Sequence, residues 1–136
     1  MANYYTNFSF VVQVRSREQA DGLKKMLSDA ANEELLKDED ELLSTPWSLE
    51  DEGDLTIFWI RSDESGQVDL IVDILAKWQE DFKYEQPICF EWAYTCSKPR
   101  LNAFGGGSVL IHKGEAHYTN TFDWLTKKKA ELGIVD

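Results

Sequence analysis

The sequence is short of positive charge, of cysteine and histidine, and of long apolar runs. Its 136 residues hold 14 Lys and Arg against 25 Asp and Glu, a formal net charge of −11. A nucleic-acid backbone or an anionic membrane attracts the opposite sign. The balance therefore argues against direct binding to either and leaves basic proteins as partners, including those that themselves bind nucleic acid. No apolar stretch is long enough to span a bilayer. The opening MANYYTNFSF lacks the basic start and apolar run of a secretory signal. The two cysteines, Cys89 and Cys96, fall on one expected strand, roughly 23 Å apart at about 3.3 Å per residue and on opposite faces. They cannot pair with each other, and free thiols point to a reducing, cytoplasmic setting.

What is present reads as one ordinary domain, residues 1–136, with five Trp and seven Phe to fill a core. Phe8, Phe10, Val12 and Val14 alternate, which predicts a strand over 5–15. Ser16 and Gln19 fit a capping box, opening a helix that buries Ala20, Leu23, Leu27, Ala30 and Ala31 to about Asn32. Residues 32–46 follow as a helix extension, a short second helix or a loop. A hairpin is expected from 47–52 and 54–62, its second strand apolar on both faces and so central. Ser65 is the candidate cap for the clearest helix, 67–83, marked by Val68, Ile71, Val72, Leu75, Trp78 and Phe82. Ile88, Phe90, Trp92, Tyr94 and Cys96 alternate as a strand. Beyond a loop over 97–106, Val109 and Ile111 open a strand that turns near Lys113-Gly114-Glu115 and returns through Tyr118. A last helix spans 122–132, capped by Asn120 or Thr121, with Phe122, Leu125 and Leu132 on one side and Gly133 as its stop. The fold class is α+β. The first six elements follow the ferredoxin-like β-α-β-β-α-β order of an antiparallel sheet, with an added C-terminal β-hairpin and helix.

The strings that usually announce chemistry are missing. Gly105-Gly106-Gly107 lead into a strand, not a helix, and no Gly-Lys-Ser/Thr follows, so neither a P-loop nor a dinucleotide fingerprint is met. Lys98 and Arg100 beside backbone N–H groups would suit an anion. The structural alternative is favoured: the glycines let a strand begin at a bulge, or let a ring such as Phe104 lie against backbone. Cys96 as a nucleophile needs a histidine within reach, and the chain has only His112 and His117. A turn at Gly114-Glu115 sets these two face to face; a turn at Lys113-Gly114 sets His112 against Glu115. No third metal ligand is indicated, and no cofactor is expected.

The run Trp92-Ala93-Tyr94-Thr95-Cys96-Ser97-Lys98-Pro99-Arg100, then Phe104-Gly105-Gly106-Gly107, then Thr121-Phe122-Asp123-Trp124-Leu125, resembles the C-terminal signature of a group of small acidic proteins of bacteria, phages and plasmids. The resemblance spans about residues 90–125. It implies a bacterial or mobile-element origin, hence the cytoplasm of a bacterium or bacterial host, and it assigns no catalytic residue. The loop itself reads as a structural corner built by Pro99, Arg100, Phe104 and the three glycines, with Arg100 tying it to a carboxylate.

The charge is concentrated. Glu33, Glu34, Asp38, Glu39, Asp40, Glu41, Glu50, Asp51, Glu52 and Asp54 face only Lys37 between them, and so carry nearly all of the net charge. Like charges this dense repel, which a basic partner surface would relieve; a solvated acidic loop is the plain alternative. The calcium-loop pattern is absent. The expected function is a non-enzymatic acidic protein-binding module that inhibits a nucleic-acid-handling protein as a DNA mimic or anti-defence factor. The alternatives are a small enzyme or ligand-binding domain using loop 97–107 with Cys96 and His112 or His117, and a structural or oligomer-forming protein.

Overall fold

A computed structural model of the chain describes residues 4–37, 47–52, 55–62, 67–101 and 103–134. These form an α+β structure of three helices and a six-stranded antiparallel sheet. The elements run β1 (Tyr4–Val14), α1 (Arg17–Lys37), β2 (Trp47–Glu52), β3 (Leu55–Ser62), α2 (Val68–Phe82), β4 (Ile88–Cys96), β5 (Gly105–His112), β6 (Glu115–Asn120) and α3 (Thr121–Glu131). The strand order is β2-β3-β1-β4-β5-β6. β1 divides its pairing: Tyr4–Asn7 pair with Ala93–Cys96 of β4, and Phe8–Val14 with Thr56–Ser62 of β3. Where the β1–β4 ladder stops, Phe10 stacks on Phe90 with centroids 4.1 Å apart, so aromatic packing continues the junction that hydrogen bonding leaves.

Period-two alternation decides which face is covered. Phe8, Val12, Val14, Phe58, Ile60, Phe90 and Ile111 are buried on one face against Leu23 and Leu27 of α1 and Ile71, Leu75 and Trp78 of α2. Val11, Trp59 and Leu110 stand exposed on the other. Both helices thus lie on one side of the sheet.

Two polar side chains lock these helices in place. Gln19 makes only half of the expected capping box. Its N–H donates to Ser16 Oγ at 3.3 Å, but its Nε2 reaches across to the Phe82 carbonyl at 2.9 Å. Trp78 Nε1 returns a bond to the Gln19 carbonyl at 2.8 Å, so the start of α1 is tied to the end of α2. Gln79 is almost fully buried. Its Nε2 donates to the carbonyls of Gln86 and Ile111 at 3.0 and 3.1 Å, and its Oε1 accepts from Gly114 N at 3.1 Å. A single amide thereby joins α2 to the strand and turn of the last hairpin.

Several expectations are corrected. α2 is capped at Gln67 with no side-chain bond, and Ser65 lies outside the described residues. α1 runs on to Lys37, so Glu33 and Glu34 are helical, while 38–46 lie outside the described residues. β5 starts at Gly105, so the three glycines are strand, not loop, and pair with Tyr94, Ala93 and Trp92. The hairpin turns at Lys113-Gly114, both with positive φ (52° and 81°), which is the type I′ register that sets His112 against Glu115. α3 is capped as expected, Asn120 Oδ1 accepting from Asp123 N at 2.7 Å. Its apolar side, however, meets no core. Phe122, Leu125 and Leu132 are all more than half exposed; among the described residues α3 packs mainly on β5 and β6.

Replacing Gln79 by Ala should destabilise the protein by about 3 kcal/mol, since it removes three hydrogen bonds made by one buried amide. Urea unfolding followed by far-UV circular dichroism measures this. A loss below about 1 kcal/mol would mean that water takes over the amide's bonds.

Candidate functional site

The three glycines serve the ring of Trp92. Gly107 faces Trp92 across the β4–β5 ladder, and a Cβ there would come within 2.4 Å of the indole and 2.7 Å of the Thr119 carbonyl oxygen. A Cβ on Gly106 would meet the Trp92 carbonyl oxygen at 2.6 Å. The close approach anticipated for Phe104 is therefore made by Trp92; Phe104 itself is 57% exposed. Pro99 and Arg100 are exposed, and Arg100 forms no ion pair among the described residues. The loop is a corner that delivers the glycine strand. The buried Trp92 Nε1 has no hydrogen-bond partner among the described residues, a cost of lying flat on that strand.

The nucleophile candidates do not assemble. Ile88 of β4 faces Ile111 of β5, so His112 lies nine positions along the sheet from Cys96, about 30 Å away at the strand rise. His117 faces Leu110, itself opposite Cys89, so it belongs to the open face, whereas Cys96 follows Trp92 and Tyr94 on the covered face. The two histidines are not cross-strand neighbours, and His117 lies 3.8 Å from Glu115. Among the described residues, no group of three or more His, Cys, Asp or Glu side chains is placed to hold a metal ion.

The acidic residues occupy one margin of the sheet only in part. Glu33 and Glu34 are on the last turns of α1; Glu50, Asp51 and Glu52 are on β2, the edge strand, where Glu50 is exposed. Asp38, Glu39, Asp40, Glu41 and Asp54 lie outside the described residues.

The opposite half of the sheet carries an aromatic-lined concavity. Along β4 the covered row runs out from beneath α2: Phe90 is 5% exposed, Trp92 8% and Tyr94 44%. β6 adds Tyr118, half exposed, whose ring meets Trp92 edge-on at 6.4 Å. Phe104 precedes β5, and Phe122 opens α3 at 76% exposure. Thr121 Oγ1 accepts from Gly106 N at 3.3 Å and so pins the start of α3 beside the glycine strand. The facing wall is α2, which presents Asp69 and Asp73 one helical turn apart. The result is a groove of about 650 Å³ lined by Asp69, Asp73, Trp92, Tyr94, Tyr118 and Phe122 among others. A second hollow, of about 520 Å³, shares Asp69, Asp73 and Tyr94 and extends toward Thr6 and Gln67.

The electrostatics of the groove are negative. Neither aspartate has an ion-pair partner among the described residues, and like charges at i, i+4 repel by about 0.2–0.5 kcal/mol. Burial first, and then the charges of Asp69 and Asp73, push the Tyr118 phenol above its ordinary value. The arrangement can therefore hold a cation against aromatic faces. None of this was read from the sequence. Asp69 and Asp73 look like the solvated side of a helix, and only the crossing of α2 over β4–β6 brings them to Tyr94 and Tyr118. The available signal was the aromatic row Phe90, Trp92, Tyr94, longer than two helices can cover.

No protein-family model matches the chain, and no curated protein or solved structure is significantly similar to it.

Two outcomes test this geometry. Gly107→Ala should cost about 1–3 kcal/mol of stability through overpacking against the indole, read by chemical denaturation; a neutral result would show that Trp92 is free to move. Replacing both Asp69 and Asp73 by Asn should lower the Tyr118 titration midpoint, read as the alkaline absorbance change lost in Tyr118→Phe. The sign for stability follows. Because the folded-state value is raised, the contribution of Tyr118 is complete below its unfolded value and fades as pH rises toward the folded one. An unmoved midpoint in the double variant would place the two carboxylates away from the ring.

Proposed function

We propose that this chain is a non-enzymatic, acidic binding module for a basic protein, acting as a mobile-element or phage inhibitor of a nucleic-acid-handling protein. One observation carries the reading: exposed aromatic rings stand opposite two carboxylates that have no cation of their own among the described residues. Apolar area supplies affinity, and uncompensated charge selects a basic partner. The acidic run from Glu33 to Asp54 adds a longer-range field of the same sign, the sign that the phosphates of a nucleic acid would present. The spread of Cys96, His112 and His117 over two faces of the sheet favours binding over catalysis.

In the same reading, β1–β4 with α1 and α2 form a ferredoxin-like unit. The order β2-β3-β1-β4, with both helices on one face, supports this. The β5–β6 hairpin and α3 are then an addition to that unit, and the groove lies where the two meet: α2 gives one wall, β6 and the start of α3 the other.

The test is capture of a partner from a bacterial lysate, followed by titration of that purified partner at low and high salt. Exposed ion pairs are worth about 1 kcal/mol or less each, so single changes such as Glu50→Gln should weaken binding less than about fivefold. Reversing Glu39, Asp40, Glu41, Glu50, Asp51 and Glu52 together should weaken it severely and flatten its salt dependence. Cys96→Ala, His112→Ala and His117→Ala should bind like the parent wherever the fold survives. Equal binding at both salts, or parental binding by the six-fold variant, overturns the role of the acidic run.

A further inference from the structure

We infer that the groove between α2 and β6 is a receptor for an arginine side chain of the partner, its guanidinium laid on the Tyr118 and Tyr94 rings and held by Asp69 and Asp73. The inference rests on the basic-partner reading above and names the chemical group that this one site takes.

Four features select that group. The first is sign: two carboxylates face the rings and, after burial, push the Tyr118 phenol above its ordinary value. A ligand anion would add to that repulsion; a cation relieves it. The second is spacing. Asp69 and Asp73 are separated by one helical turn, about 5–6 Å between side-chain origins. A guanidinium offers N–H groups along more than one edge of a plane, so two carboxylates at that separation can each accept from it. An ammonium is a compact point charge that satisfies one carboxylate well and leaves the second distant. The third is the wall. Tyr94 and Tyr118 are each about half exposed (44% and 50%), with the Trp92 edge below them, so flat π surface is available to a planar cation. A hydrated ammonium gains less from such a surface because it surrenders more water. The fourth is size. The groove and its neighbour around Tyr94 hold about 650 and 520 Å³, room for a long side chain together with the backbone that carries it.

The groove also fails the requirements of the other ligand classes. A phosphate or carboxylate needs convergent donors, whereas the charged side chains lining this groove are both aspartates. A divalent cation needs several oxygen ligands at close range, and among the described residues no group of three or more His, Cys, Asp or Glu is placed to hold one.

The experiment compares hexa-arginine with hexalysine, peptides of equal charge, by isothermal titration and by NMR of the 15N-labelled full chain. The expected result is that hexa-arginine binds about tenfold more tightly, shifting the Trp92 indole N–H and the amides of Tyr94, Asp69, Asp73 and Tyr118. Asp69→Asn with Asp73→Asn, which preserves side-chain shape, should remove that preference, and Tyr118→Leu should reduce it about fivefold while Tyr118→Phe retains it. Unchanged amide spectra elsewhere show that each variant is folded. The six-fold reversal in the acidic run should weaken both peptides alike and leave their ratio standing. If both peptides bind in a salt-dependent way but equally, or the double Asn variant keeps the preference, the arginine site is wrong and the basic-partner reading survives. If neither peptide binds and the captured partner shows no salt dependence, both fall.

Discussion

The side-chain amide of Gln79 fixes the relation between the two halves of the molecule. It is buried in α2, yet its bonds run to Gln86 before β4, to Ile111 in β5 and to Gly114 in the hairpin turn. Apart from the bonds between Gln19 and the end of α2, the rest of the helix is held by apolar burial, which resists separation but is tolerant of sliding. Three directed bonds at one point are not. They set the height of α2 over β5 and β6, and hence the distance at which Asp69 and Asp73, two to three turns back along the helix, face Tyr118. The groove is a by-product of that one attachment.

Strand length explains why a groove exists at all. α2 packs over β5 and β6, but β4 runs on past the helix. Its inward row, Phe90, Trp92 and Tyr94, becomes progressively exposed along the strand and emerges there. α3 does not roof it; the helix stands at the ends of β5 and β6 with its apolar residues in solvent.

Period-two and helical spacing made most elements legible. Phe8 to Val14 and Ile88 to Cys96 alternate without interruption, and the apolar stripe of Val68 to Trp78 can pack in only one way. What failed did so where a single residue serves a distant one. Gly105 to Gly107 read as loop because glycine weakens a strand, and the indole that requires them lies on another strand. Gln19 read as half of a local cap, but its amide goes to α2. Phe122, Leu125 and Leu132 read as a buried side because spacing records amphipathicity and says nothing of what lies opposite. The groove's carboxylates were hidden for the same reason. Asp69 and Asp73 are ordinary solvated helix residues until the topology sets aromatic rings against them.

The position of β2 at the sheet margin has a consequence for how copies of this chain behave in concentrated solution. An edge strand exposes a row of backbone donors and acceptors on which a second molecule can template itself. β2 reads Trp47-Ser48-Leu49-Glu50-Asp51-Glu52, and a copy adding there in parallel register would bring its own carboxylates against these. Mutual repulsion along that edge opposes sheet-to-sheet polymerisation. The far edge, β6, carries Glu115 and His117 and then Tyr118-Thr119-Asn120, with no comparable run of one sign. The two margins of the sheet thus differ in charge: parallel addition is opposed at β2, and no such run of one sign stands on β6.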